Sequence, residues 1–559
     1  SLFGDAYPED ELRDGWKTLC FNQFHDILPG SSIPEVYEDA HDDYERLEAM
    51  CDDLAGDGLR RIARRINTDN PALADYAPLV AFNTLSWPRT GFVRLEAQPG
   101  RTINVFSPDG VRVPSQPVQW GDRNYVLFVA RDIPTLGYRT YYVSEEKLPA
   151  ASDTAPAPAA PLPESFAAAS AVQLPDGSYL LENEFLKVTV DAATGWVSSV
   201  VDKVNQREML DGPANQLKLY RDAAVLYPAW NIDSAYKSKP IKIPEAPESV
   251  EIIENGPVSA AVAVERMLRR SPVRQEVRLF AGRPMVYFVT AVDWHETKAI
   301  LKASFDTAIA ADYVTSEIPY GAIDRATKPR NKWDRGRWEI NCHKWLSMSD
   351  GRYGIALLND GKYGFNADGK TLALTLLRGP QYPPPIINAW GLSEPISDRP
   401  KYTDQGGHVI RYALMPHSGD WRDSKMWRFG QEFNTPVTTA RTSHHEGMMP
   451  VESTSLEIQA ATSYVSAIKR PEDNPGRAVA RYHQLVVRLV EAAGAGDTVK
   501  LTFHGVNLSI EDVREMDLLE FGSTPTGTVE AGTVTLQMKP FEIKTIRVTL
   551  SVAAEAGKE

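Results

Sequence analysis

The sequence predicts a mainly β protein with an N-terminal helical bundle, a large antiparallel β-sandwich and smaller β-sandwich domains. Three features point there. Apolar residues recur at three- and four-residue spacing only within residues 10–66. From about Pro78 onward, short runs rich in β-branched and aromatic residues alternate with Pro, Gly, Asp and Asn. No long helical pattern interrupts those runs, and no apolar stretch approaches the ~18 residues that span a bilayer. The 559 residues, at roughly 150 per domain, allow about four domains. Apolar residues make up 43% and charged residues 24%, an ordinary globular balance that excludes a disordered chain or a fibre.

The helical part comes first. Leu12, Trp16, Leu19 and Cys20 form one apolar series that ends near Phe24. Val36, Tyr37, Ala40, Tyr44, Leu47, Met50, Cys51 and Leu54 form a second. Ser32-Ile33-Pro34-Glu35 has the spacing of a capping box at its start, with Pro34 in the first turn, where a missing amide costs little. Gly56 and Gly58 predict a break, with Leu59, Ile62, Ala63 and Ile66 continuing on a further helix. Residues 1–76 therefore read as a helical hairpin or a three-helix bundle. A small β domain is expected over 77–147, with strands at 79–82, 91–95, 125–130 and 139–143. Residues 148–165 are dense in Pro and Ala and read as a linker. The large sandwich is expected over 166–440, with strands at 186–190, 258–265, 276–280, 285–292, 353–358 and 372–377. A last β unit (441–559) includes 499–503, 533–538 and 543–550.

Lys plus Arg (60) against Asp plus Glu (74) leaves a net charge of −14. Such a surface repels phosphate backbones, so no nucleic-acid partner is expected, and no membrane partner either. Three cysteines allow one disulfide at most, which suits a reducing, cytoplasmic location. No signal-peptide pattern follows Ser1.

The segment with chemical content is 22–32, between the two helices. His25 stands beside Asp26, followed by Pro29-Gly30. An imidazole next to a carboxylate, fixed by rigid elements on both sides, suits a metal ligand or a substrate-facing group; it equally suits a local hydrogen-bonded pair. No second His lies three or four residues away, and His41 falls on the solvated face of the next helix. Any further ligands must come from elsewhere. Other histidines read as structural. His295, in Asp293-Trp294-His295-Glu296, marks a strand end; His444-His445 lies in a polar, solvated connection; Asp404 and His408 sit in a Gly-rich turn.

Longer matches run down the chain in order. They include Asn22-Gln23-Phe24-His25-Asp26-Ile27-Leu28-Pro29-Gly30, Phe82-Asn83-Thr84-Leu85-Ser86-Trp87-Pro88, Ala229-Trp230-Asn231-Ile232-Asp233, Tyr320-Gly321-Ala322-Ile323-Asp324, Lys362-Tyr363-Gly364, Leu374-Thr375-Leu376-Leu377-Arg378 and Lys539-Pro540-Phe541-Glu542-Ile543-Lys544. In these the chain resembles the retaining α-mannosidases of glycoside hydrolase family 38, in a style like the cytosolic and bacterial branch. The resemblance implies a galactose mutarotase-like fold for the large sandwich. It implies a divalent metal, zinc being the expected ion, with His25 as one protein ligand and Asp26 on the mannose ring. Arg378, ending Leu-Thr-Leu-Leu-Arg, suits a substrate or interface contact projecting towards the family's N-terminal barrel, or an ordinary edge-strand Arg.

The resemblance also implies that the nucleophile and the acid/base, which retaining chemistry places about 5–5.5 Å apart, belong to that N-terminal barrel, which the residues before Trp16 cannot encode. No catalytic residue is then expected in this chain, which alone would be inactive. Its expected partners are a mannose-containing oligosaccharide and the catalytic domain, and a homo-oligomer is left open. A non-catalytic carbohydrate-binding module is the alternative from a different class; a glycosidase or phosphorylase of another family is a third. Asn231 departs from the family pattern, where an acidic residue is expected. A longer Pro-rich stretch (382–400) replaces a usually short loop; facing the cleft it would restrict substrate access, and otherwise it is a surface insertion. A surface facing the absent barrel should leave an exposed apolar patch.

Overall fold

The computed structural model describes residues 7–121, 123–147, 167–224, 226–383, 401–472, 482–505 and 508–552. The linker expected at 148–165 and most of the Pro-rich stretch (384–400) lie outside the described residues.

Helix α1 (Glu9–Asn22) begins with three acidic residues, Glu9, Asp10 and Glu11, which favour a helix N-terminus. Helix α2 (Pro34–Ala63) runs unbroken for 30 residues. The predicted break at Gly56 and Gly58 does not occur. Each glycine costs about 1 kcal/mol relative to Ala, yet it keeps its amide, so the hydrogen-bond ladder continues. Residues 9–63 therefore form a hairpin of two helices. The predicted capping box is not formed either. Ile33 holds the N-cap position without a side-chain hydrogen bond, and the Ser32 amide donates to the Tyr37 hydroxyl at 2.9 Å. Pro34 does occupy the first turn.

The helices approach closely at Gly15, where a Cβ would lie 2.6 Å from Met50 Cε. Asn22, buried, donates from Nδ2 to Asp43 Oδ2 at 2.8 Å and closes the hairpin. Ala63, with Ile66 just beyond the helix end, packs with Val80, Phe82, Tyr138 and Ala440, fastening α2 to the first β domain.

That domain faces two sheets across a core of Leu79, Val93, Val105, Phe128 and Tyr141. One sheet is built on strands 77–83 and 137–147; the other joins 89–97, 123–133 and 115–120. Strands 438–441 and 452–454 also join the first sheet, against 77–83 and 137–147. The large sandwich combines nine-, six- and five-stranded sheets, with central strands 286–294, 406–418 and 353–359 in the nine-stranded one. Their pairing is antiparallel. Strand 186–190 alternates buried and exposed positions, as a half-buried strand must. Strand 353–359 is buried at every residue. Tyr353, Ile355 and Leu357 face the inner core, whereas Ala356 and Leu358 meet Trp345, Trp421 and Trp427.

A one-turn helix α3 (Lys332–Arg335) is capped by Asn331. Helix α4 (Met426–Asn434) contributes Met426 and Trp427 to that outer cluster. The sequence pattern did not predict α4, whose nine residues are too few to establish a period. A final sandwich, with strands 482–491 and 543–552 paired antiparallel, closes on Val487, Val499, Leu536 and Val548.

Candidate functional site at the helical hairpin

The loop between α1 and α2 is short and densely hydrogen-bonded. The amides of Ile27 and Leu28 donate to the Phe24 carbonyl at 2.9 and 3.1 Å, and the Ser31 amide donates to the Asp26 carbonyl at 3.1 Å. Gly30 takes φ +82°, a conformation side chains resist, which lets the chain reverse before Ser31. The Tyr37 hydroxyl, one turn into α2, donates to the carbonyls of Asp26 (3.1 Å) and Ile27 (3.4 Å). It also accepts the Ser32 amide. One phenol thus ties both ends of the loop.

Within this frame Asp26 is oriented. Ser31 Oγ donates to its Oδ1 at 2.9 Å, and its Oδ2 lies 3.4 Å from His25 Nε2. The His25 side chain is 76% exposed and that of Asp26 37% exposed. The imidazole leans on Phe24 with ring centroids 4.2 Å apart. It is therefore presented outward, open to a second polypeptide or a ligand. On α1 and the loop, Trp16, Phe21, Phe24 and Leu28 are all more than half exposed. Trp16 and Cys20, read from the sequence as part of a buried face, turn to solvent because α2 covers the side of α1 that carries Gly15.

The expected metal can be tested against the donors present. His25 and Asp26 offer one imidazole and one carboxylate side by side, and no hydrogen bond engages either ring nitrogen among the described residues. Those are suitable donors for a divalent ion. Two donors fall short of the three or four protein ligands that zinc takes. Among the described residues no group of three or more His, Cys, Asp or Glu could hold a metal ion. The pair fits part of a coordination sphere, not a whole one.

The large sandwich reaches this loop through Tyr382. The Tyr382 ring, at the root of the Pro-rich stretch, sits 6.0 Å from that of Tyr37. Burial raises the Tyr37 phenol above its ordinary value; the Ser32 amide opposes this, and the charges of Asp26 and Asp404 reinforce it. Burial likewise raises Tyr382, with Asp404 and Tyr37 adding to the effect. Lys362 is pushed down by burial against the pull of Asp404 and Asp360. Asp404 occupies a turn, as expected, with φ +57° and its carbonyl 2.8 Å from His408 Nε2. Its charge also reaches Tyr37, Tyr382 and Lys362. The one signal available in the sequence was Lys362-Tyr363-Gly364 among the family-like segments.

Arg378 ends strand 371–378 in the interior of the six-stranded sheet. Its Nε donates to the buried Asp222 Oδ2 at 2.6 Å, and Nη2 donates to the carbonyls of Pro228 (2.9 Å) and Asn231 (2.6 Å). The guanidinium therefore holds the loop that exposes Tyr227 and Trp230, and Asn231 takes part through its backbone. Arg378 stands four positions before Tyr382, at most ~14 Å of chain. Tyr37 and Tyr382 thus join the His25–Asp26 loop to the sandwich, whereas the bonds of Arg378 run to Asp222, Pro228 and Asn231.

His295 and His444 make local bonds. His295 Nε2 lies 2.9 Å from Asp293 Oδ2, the local bond expected of a strand end. His444, expected to be solvated, is half-buried; its ring nitrogens lie 3.1 and 2.6 Å from the carbonyls of Thr68 and Tyr76, pinning the segment after α2.

Comparison with known proteins fits this arrangement. Residues 2–62 match the alpha mannosidase middle domain, residues 181–385 the glycosyl hydrolases family 38 C-terminal domain, and residues 463–546 the glycosyl hydrolases family 38 C-terminal beta sandwich domain. Alpha-mannosidase 2C1 of Mus musculus is 29% identical over 97% of this chain and 46% of its own length. Alpha-mannosidase G of Dictyostelium discoideum is 26% identical over 98% of this chain and 49% of its own. The crystal structure of an alpha-mannosidase from Enterococcus faecalis V583 shares the fold with a TM-score of 0.74, at 18% identity, over 97% of this chain and 64% of that one. The chain spans about half the length of the curated relatives it matches. Three matched domains in family order, on a helical hairpin and successive antiparallel sandwiches, place this chain in glycosyl hydrolase family 38.

Proposed function

We propose that this chain forms the middle and C-terminal part of a retaining, metal-dependent enzyme that hydrolyses terminal α-mannosides of mannose-containing oligosaccharides. Its nucleophile and acid/base come from polypeptide outside this sequence. The single observation that carries this is the outward presentation of His25 beside an oriented Asp26, on a loop fastened at both ends, with exposed apolar side chains on α1 and the loop.

In this scheme His25 contributes one nitrogen to the metal. Asp26, held by Ser31 and Tyr37, accepts a hydrogen bond from a sugar hydroxyl. Tyr37 and Tyr382 keep the loop against the sandwich, so neither donor shifts when the substrate binds. A divalent ion, zinc being the expected one, would anchor sugar hydroxyls and favour ring distortion. Arg378 acts by setting the Tyr227–Trp230 loop. A cytoplasmic site of action belongs to the same proposal: Cys20 and Cys51 are exposed free thiols, compatible with a reducing compartment. Among the described residues no helix is long and apolar enough to cross a membrane.

An aryl α-mannoside assay with added zinc or cobalt tests the scheme. The chain alone should show no turnover. Co-expression with the polypeptide carrying the two carboxylates should restore it, and His25→Ala in that assembly should lower both bound metal and kcat. Turnover by the chain alone that His25→Ala abolishes would overturn the division of labour. Full metal content and activity in the His25→Ala assembly would overturn the role of the imidazole.

A further inference from the structure

Strand 89–97, strands 272–280 and 286–294, and α4 meet around a cavity of about 320 Å³. Its walls are aromatic. Phe92 stacks on Phe280 at 4.2 Å, Phe280 meets the edge of Tyr287 at 4.8 Å, and Tyr287 stacks on Phe433 at 5.9 Å. Arg89 and Arg283 line the same space, and Arg89 has no carboxylate of its own. Arg89 is 5% exposed, and its terminal nitrogens donate to the neutral carbonyls of Thr435 and Pro436. It has no ion pair among the described residues. Arg283 donates to Glu432 at 2.6 Å and to the Thr90 carbonyl, while Glu432 is shared with the Trp87 indole at 2.8 Å. One carboxylate therefore stands against two guanidiniums. The Nε–H groups of Arg89 and Arg283 are buried without an acceptor. A third arginine, Arg278, is balanced by Glu254 and Glu276 and does not change the count.

We propose that this cavity binds a small ring-bearing anion, its carboxylate or phosphate on Arg89 and Arg283 and its ring against Phe92, Phe280, Tyr287 and Phe433. Arg89, buried with only neutral carbonyls as acceptors, lacks a counter-charge of its own, which is costly, and an anion in the cavity supplies it. Burial lowers Arg89 to about 10, so it is still a cation at neutral pH. Burial also pushes Tyr287 up to about 12, so the phenol stays neutral and does not repel the ligand. The volume lies at the lower end for small-molecule sites, which limits the body to about one ring. Trp120, 37% exposed, and the Asp360–Arg411 pair also line the cavity. Occupancy would clamp the first β domain to the large sandwich and α4. None of this depends on mannoside hydrolysis.

The test is thermal melting of the full chain, titrated with benzoate, a hexose 6-phosphate and ringless inorganic phosphate, against chloride at equal ionic strength. At least one ring-bearing probe should raise the melting temperature saturably, and its identity separates a carboxylate from a phosphate ligand. Arg89→Met should weaken that binding about tenfold or more. The proposal fails if neither ring-bearing probe gives a saturable rise, if inorganic phosphate or chloride does as well, or if Arg89→Met binds undiminished. Should Arg89→Met not fold, hydrogen exchange on the unsubstituted chain decides. Slower exchange at 89–92 and 426–437 with the probe supports the site, and unchanged exchange there overturns it.

Discussion

An imidazole 76% exposed, with only a 3.4 Å approach to Asp26, adds little to folding, so His25→Ala should change stability by no more than about 0.5 kcal/mol. A urea melt beside the metal analysis separates that silence from any loss of function. Tyr37 is the opposite case, since its hydroxyl carries the loop. Tyr37→Phe should cost about 1–2 kcal/mol and speed amide exchange across 26–32, with α2 otherwise intact. Arg378 should be costlier still. Arg378→Ala leaves Asp222, 1% exposed in its side chain, without its cation, a loss of about 3 kcal/mol. Limited proteolysis should then cut within 223–235. Of these residues, His25, Asp26 and Arg378 could be found from local motifs, because each stands in a recognisable string. Tyr37 could not. Val36-Tyr37 follows the same string, but nothing there says that the phenol ties the loop, and its partners Tyr382 and Asp404 lie more than 340 residues away in sequence.

The elements divide along the same line. Strands 186–190 and 533–538 coincide with the expected runs because alternation, or a continuous apolar run, directly marks which faces are buried. The α2 cap and the supposed break at Gly56 were misread because spacing alone does not say which residue leaves helical geometry first. In the C-terminal sandwich a turn depends on one carboxylate. Glu491, fully buried, accepts the amides of Ala493 (3.0 Å), Gly494 (2.8 Å) and Phe541 (2.7 Å). Burial pushes its pKa up, but those hydrogen bonds outweigh burial and hold it below the ordinary value. Because the folded-state value is depressed, the stabilisation is complete above the unfolded value of about 4.3 and vanishes as pH falls through the folded one. Glu491→Gln should therefore cost about 2–3 kcal/mol at neutral pH, with the gap to the parent closing below about pH 4. Acid titration followed by near-ultraviolet dichroism reads this directly.

At the scale of the whole molecule, the exposed row of Trp16, Phe21, Phe24 and Leu28 should make the isolated chain self-associate. Phe21→Ser with Leu28→Ser should shift sedimentation toward the monomer without lowering the melting temperature, since neither side chain is buried. Another consequence follows from the strand at 438–441, which completes a sheet begun at 77–83. Leu79 faces Arg441 across that ladder, so more than 350 residues must be made before the early strand finds its neighbour. During synthesis its edge stays open, inviting mispairing with other nascent chains. Refolding should be slow, and a ribosome-stalled product ending before residue 438 should remain bound to chaperones.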